Sequence, residues 1–118
     1  MAAVQLTAAS VESILFQGQF SQFRDYILIK GAAEVSSEAA KVFAAAKLLL
    51  LGNESQTVGP EDAPMEVHLI LLGAGVVLLE GVRLAEVSEG VYFLSAAPLN
   101  LSGADGSPCR AVLIPAAQ

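Results

Sequence analysis

The chain has 118 residues, 54% of them hydrophobic and 15% charged. That suffices for one domain, 1–118, with its own core, and is too apolar for a disordered or charged tail. Twelve acids against six bases make a surface that repels phosphate backbones, so no nucleic-acid partner is expected. The uncharged apolar runs fall well short of the ~20 residues that cross a bilayer, so no membrane span is expected. The start, Met1-Ala-Ala-Val-Gln-Leu-Thr, lacks the basic and long apolar regions of a secretion signal. A lone cysteine, Cys109, cannot form an internal disulfide and fits a reducing cytoplasm. The apolar excess predicts further surface buried against another chain.

In chain order, Thr7 to Leu15 opens on an N-cap residue and reads as a helix of two turns. Phe16 to Phe23 is a polar-aromatic connector whose phenylalanines suit a core. Tyr26 to Lys30 is a strand by its β-branched and aromatic content, ended by Gly31. Ser36 to Lys47 is the clearest helix: a serine caps it, Glu38 sits in the first turn where the dipole favours an acid, and Lys47 lies near its end. Ala39, Val42, Phe43 and Ala46 share one face, which predicts packing on a sheet. Leu48 to Leu51 reads as a strand buried on both faces. Gly52 to Pro64 is a loop of turn formers, and loops after strand carboxyl ends commonly carry sites. Val82 to Gly90 reads as a helical turn stopped by glycine. Val91 to Ala96 and Arg110 to Ile114 are strands, with Asp105-Gly106 as a hairpin signal between them. The expected order β, α, β, α, β, β, β gives an α/β fold, a mixed sheet with packed helices.

The stretch between these halves, Ala63 to Gly81, holds the only histidine, His68. Met65 to Leu72 reads as a helix, Gly73-Ala-Gly75 as a break and Val76 to Leu79 as a buried strand. Glu80 closes the uncharged run from Leu69 to Leu79, where a carboxylate is costly to bury unless paired, hydrogen-bonded or metal-bound. A helix folding back through the glycines can bring His68 to Glu80. On the residues alone two readings stand: a pair of metal ligands, or a satisfied core histidine beside a capping or surface glutamate. Cys109 reads as a filler residue, its one basic neighbour being Arg110.

Three ordered blocks resemble a known family. Gly31 through Ala46, with Ser36-Ser-Glu-Ala-Ala40, is similar to the gly-leu-ser-x-glu-ala-ala helix of the metal-dependent cyclase family, which includes bacterial kynurenine formamidases and isatin hydrolases. His68-Leu-Ile-Leu-Leu-Gly-Ala-Gly-Val-Val-Leu-Leu-Glu80-Gly81 resembles that family's his-x-x-leu-leu-gly-x-gly-ile-x-ile-x-glu block. Pro98 through Ala111 resembles its closing pro-leu-lys-x-x-gly-x-asp-gly-ser-pro-x-arg-ala. The resemblance implies a swivelling β/β/α fold, association into oligomers, and hydrolysis of small amides or cyclic amides by a water that a divalent metal activates. It implies that His68 and Glu80 are metal ligands, with zinc or manganese the expected ion.

The family's his-x-gly-thr-his-x-asp motif has no counterpart here, so the chain looks like the C-terminal half of a cyclase. Gly52-Asn53-Glu54 also stands where members carry gly-ile-asp. Glu54, Glu61, Asp62, Glu66 and Asp105 are further acids, each read as a solvated loop or helix-face residue. Asp105, Gly106 and Arg110 read as structural. Two ligands do not hold a catalytic metal alone. The expected partner is therefore a complementary N-terminal-half chain or a further copy in a homo-oligomer, unless the chain is itself a piece of a full enzyme; in either case activity is expected only when the missing half is present. The alternative is a non-catalytic, partner-binding module derived from the same family.

Overall fold

The computed structural model describes residues 4–6 and 25–115. The helix expected from Thr7 to Leu15 and the connector from Phe16 to Phe23 lie outside them. The elements are β1 (Val4–Leu6), β2 (Tyr26–Ile29), β3 (Ala33–Val35), α1 (Ser37–Ala45), β4 (Leu50–Asn53), α2 (Met65–Gly73), β5 (Val77–Leu79), β6 (Tyr92–Pro98) and β7 (Cys109–Pro115). They fall into two compact units, one running to Val87 and the other starting at Ser88. The α/β class holds, with parallel and antiparallel pairing in separate sheets.

In the first unit, β4 lies between β2 and β5, parallel to both. Parallel neighbours need a crossover, and α2 supplies the one between β4 and β5. β1 pairs in parallel with β3; three residues each, they are too short to declare themselves by alternation in the sequence. Ser36 caps α1, its Oγ accepting the Ala39 N–H at 3.1 Å. The helix buries Ala39, Ala40 and Phe43, and these pack in one core with Val35, Leu48, Leu51, Val58, Val67, Leu71 and Val76.

The leucine run is displaced from its expected role. Lys47 takes a left-handed φ of 58° and ends the helical path, so Leu48 serves as a buried core residue ahead of the strand and the ladder begins at Leu50. Gly52 and Asn53, read as loop, are the buried end of β4. β4 is central because of that composition: a strand covered on both faces carries few polar side chains.

Two other expectations hold only in part. The helical turn expected over Val82 to Gly90 is a single turn, closed by the Val87 N–H on the Leu84 carbonyl at 2.9 Å, with no helix beyond it. The amides of Val82 and Leu84 bond outside the segment, as described below. In the second unit β6 and β7 do form an antiparallel hairpin, with Phe93 opposite Ile114 and Pro98 opposite Cys109. The sharp turn is not at Asp105-Gly106. The Ala104 N–H bonds to the Leu101 carbonyl at 3.3 Å, and Gly103 supplies the positive φ of 76° that the turn needs.

Between its two neighbours, β4 tolerates no side chain at Gly52. A Cβ there would clash with Leu28 Cδ2 and sit 3.3 Å from the Leu79 carbonyl oxygen. Leu28 can turn away; the β5 backbone cannot. Gly52→Val is expected to lower unfolding free energy by about 1–3 kcal/mol, read as a shift in urea midpoint, with Gly52→Ala costing less.

Candidate metal centre

The carboxyl ends of β4 and β5 lie side by side because Gly52 registers against Leu79. Open parallel sheets bind ligands at that edge. Glu80 follows β5 directly, and His68 sits in the N-terminal half of α2, whose start faces the same edge because the helix returns antiparallel to the strands.

Each side chain is held by a specific backbone group. Nδ1 of His68 lies 2.8 Å from the Pro64 carbonyl oxygen. A carbonyl can only accept, so Nδ1 carries the proton. The same carbonyl takes the backbone N–H of His68 at 3.1 Å, the first helical bond of α2. Glu80 Oε2 accepts the N–H of buried Val58 at 2.8 Å. It also lies 3.1 Å from His68 Nε2. With the ring proton on Nδ1, Nε2 presents a lone pair to a carboxylate oxygen, an arrangement that needs either a shared proton or a cation. The two side chains are 25% and 29% exposed, open enough for an ion to reach them.

The segment after Glu80 is sewn to the loop after β4. Gly81 N–H bonds to the Ser55 carbonyl at 2.9 Å and Val82 N–H to the Asn53 carbonyl at 3.1 Å. Glu54 completes the seam: Oε1 takes the Leu84 N–H at 2.6 Å and Oε2 the Gly31 N–H at 2.5 Å. Those two donors, Leu84 the stronger and Gly31 next, hold its carboxyl below the usual carboxylate value, with Lys30 adding a smaller charge effect. Glu54, read from sequence as a solvated acid, is thus a clamp on three segments. Asn53 is 1% exposed; its Nδ2 donates to the Thr57 carbonyl at 3.1 Å, and its Oδ1 has no partner among the described residues.

No model of a known protein family matches the sequence. Individual relatives do. The kynurenine formamidase of Salinibacter ruber is 34% identical over 110 residues, which is 92% of this chain and 52% of that protein. A solved structure described as a potential metal-dependent hydrolase with cyclase activity is 36% identical with a TM-score of 0.64, over 69% of this chain and 40% of that one. Over the part of those proteins that it spans, the chain belongs with the kynurenine formamidases and cyclase-like hydrolases. A predicted metal-dependent hydrolase from Bacillus stearothermophilus, 24% identical, matches 95% of this chain and 58% of its own with a TM-score of 0.74, so the fold is that of this family. The chain spans about half the length, or less, of the curated relatives it matches.

The pairing of His68 with Glu80 is the one meeting of predicted site residues that the fold makes. Glu61, Asp62 and Glu66 are exposed, on the loop before α2 and in its first turn. Asp105 lies in the second unit. Among the described residues no group of three or more histidine, cysteine, aspartate or glutamate side chains is placed to hold a metal. Sequence reading missed the Val58 amide and the Pro64 carbonyl, because backbone groups leave no mark in a sequence. A long-range 1H–15N spectrum of the neutral His68 ring should place its proton on Nδ1; a proton on Nε2 would refute the Pro64 contact.

Glu54 carries a pH dependence whose sign follows from its lowered carboxyl. The clamp is intact above the ordinary value of about 4.5 and is lost as pH falls through the lower value of the folded state. Thermal melts of the native chain should lose stability through that acid range. Glu54→Gln should be less stable at pH 7 and flatter across the same range.

Proposed function

We propose that this chain is the half of a metal-dependent hydrolase of the kynurenine formamidase and cyclase type that contributes His68 and Glu80 to a divalent-metal site. The observation that carries the reading is the fixed His68 tautomer: Pro64 claims the Nδ1 proton, leaving the Nε2 lone pair beside Glu80. Metal-binding histidines characteristically donate the second ring nitrogen to a carbonyl or carboxylate in this way, which fixes orientation and tautomer. The second carboxylate oxygen, Oε1, accepts no hydrogen bond among the described residues, so it too is free for an ion. Imidazole with carboxylate suits zinc, manganese and iron alike.

A cation at such a site supplies Lewis acidity toward a carbonyl and makes water a stronger nucleophile near neutral pH. The chain's own part is to hold two donors rigidly: α2 presents the imidazole, the Val58 amide orients the carboxylate, and the seam keeps them together. A catalytic zinc site takes three protein ligands and an open position. The remaining donors, and any proton-transfer group, come from the half of the enzyme that this chain lacks. The reaction class is hydrolysis of a small amide or cyclic amide, on the strength of the relatives' names.

The second reading, a binding module without catalysis, draws support from the structural use of Glu80, which satisfies the buried Val58 amide whether or not an ion is present. Elemental analysis separates the two. Near-stoichiometric zinc or manganese in the chain purified together with the polypeptide that completes the site, lost in His68→Ala, is the result expected of the hydrolase half. Metal-free protein in both samples, with the fold intact, would leave the module reading in its place.

A further inference from the structure

Met65, Leu69 and Leu72 follow one another at the spacing that places them on one side of α2. They are 69%, 66% and 56% exposed, whereas Val67 and Leu71 on the other side are buried. Three large aliphatic side chains in a row on solvent mark an interaction surface. His68 borders this stripe, three residues from Met65 and four from Leu72. A body lying on the stripe therefore reaches the flank where Nε2 and Glu80 stand.

We propose that the Met65–Leu69–Leu72 face of α2 is the docking surface for the polypeptide that completes the His68–Glu80 site. This occupant has an apolar contact face with imidazole or carboxylate groups at its margin, and it corresponds to the part of the relatives that this chain does not span. The proposal rests on the hydrolase reading. Three observations select this occupant. Two donors fall short of the three that a catalytic zinc takes, and the described residues bring no third beside them. Residues 7–24 contain one carboxylate, Glu12, and neither histidine nor cysteine; laid on the stripe, they would cover it and leave the site short. A second copy would bring one further histidine, its own His68, and that ring already faces its own Glu80 at 3.1 Å. The Salinibacter ruber relative, by contrast, has about as much polypeptide again that this chain does not match.

The test places the photo-crosslinking residue p-benzoylphenylalanine at position 69, and in a second sample at position 93, in the chain expressed in the cells that encode it. Irradiation and peptide mapping then identify what each position touches. Phe93 is 65% exposed and belongs to the second unit. The expected result is an adduct at position 69 with a segment that aligns to the unmatched part of the Salinibacter ruber relative and carries histidine or aspartate. Leu69→Glu should then recover at least about tenfold less of that polypeptide, as loss of a buried anchor does. Its own melting temperature should stay unchanged, because the side chain is exposed. Adducts at position 69 with residues 7–24, with a second copy, or with nothing would overturn the proposal. So would recovery of the complementary polypeptide crosslinked through position 93 and not 69. Metal content of the recovered complex separates the two ideas: the expected adduct without bound metal would leave the docking face standing and remove the hydrolase reading.

Discussion

The candidate site depends on the seam between the loop after β4 and the segment after β5. Parallel pairing alone would leave these two connections free beyond Gly52 and Leu79. Instead the amides of Gly81, Val82 and Leu84 bond to Ser55, Asn53 and Glu54, and the amide of Val58 returns a bond to Glu80. Polar backbone that is partly buried must be satisfied, and here satisfying it fixes a carboxylate. Ser55 Oγ adds a bond to the Ala33 carbonyl at 3.2 Å, and Glu54 reaches Gly31, so the connection after β2 is tied to the same edge.

The stretch after Glu80 is tied to the same edge. The amides of Val82 and Leu84 bond to Asn53 and Glu54, and Lys30 Nζ donates to the Val87 carbonyl at 2.6 Å. Local propensity is a weak preference, of the order of tenths of a kcal/mol per residue. Several hydrogen bonds at about 1 kcal/mol each outweigh it in setting the course of this segment.

Much of the fold was readable where a residue's role follows from its own side chain. Ser36 and Glu38 marked the first helix, the two glycines after Leu72 marked the fold-back, and His68 with Glu80 were correctly placed together. Most of the errors fall where a backbone group, or a partner distant in sequence, decides the outcome. Leu48 looked like strand because its position relative to β2 was not visible. Asp105-Gly106 looked like the turn because the ten-residue connection could place its sharp bend elsewhere, and Gly103 took it. Glu54 looked solvated because its two donors come from Gly31 and Leu84, far along the chain in both directions. β1 and β3 escaped notice because three residues carry too little pattern.

Glu80, through the bond it accepts from Val58, serves the fold and would also serve the proposed site. As a hydrogen-bond acceptor for buried Val58 it is retained for stability alone, since leaving that amide unpaired would cost about 1–3 kcal/mol. The same bond removes the rotational freedom that a metal ligand would otherwise lose on binding. His68 is held in the same manner by a carbonyl that is already part of the helix. As a bare ion pair the contact would contribute little, because exposed pairs are worth about 0–1 kcal/mol. Holding both groups this firmly for so small a return suits the binding geometry proposed for them. A partner on the proposed docking face would come from the solvent side of α2, because the helix's opposite side is committed to the core through Val67 and Leu71.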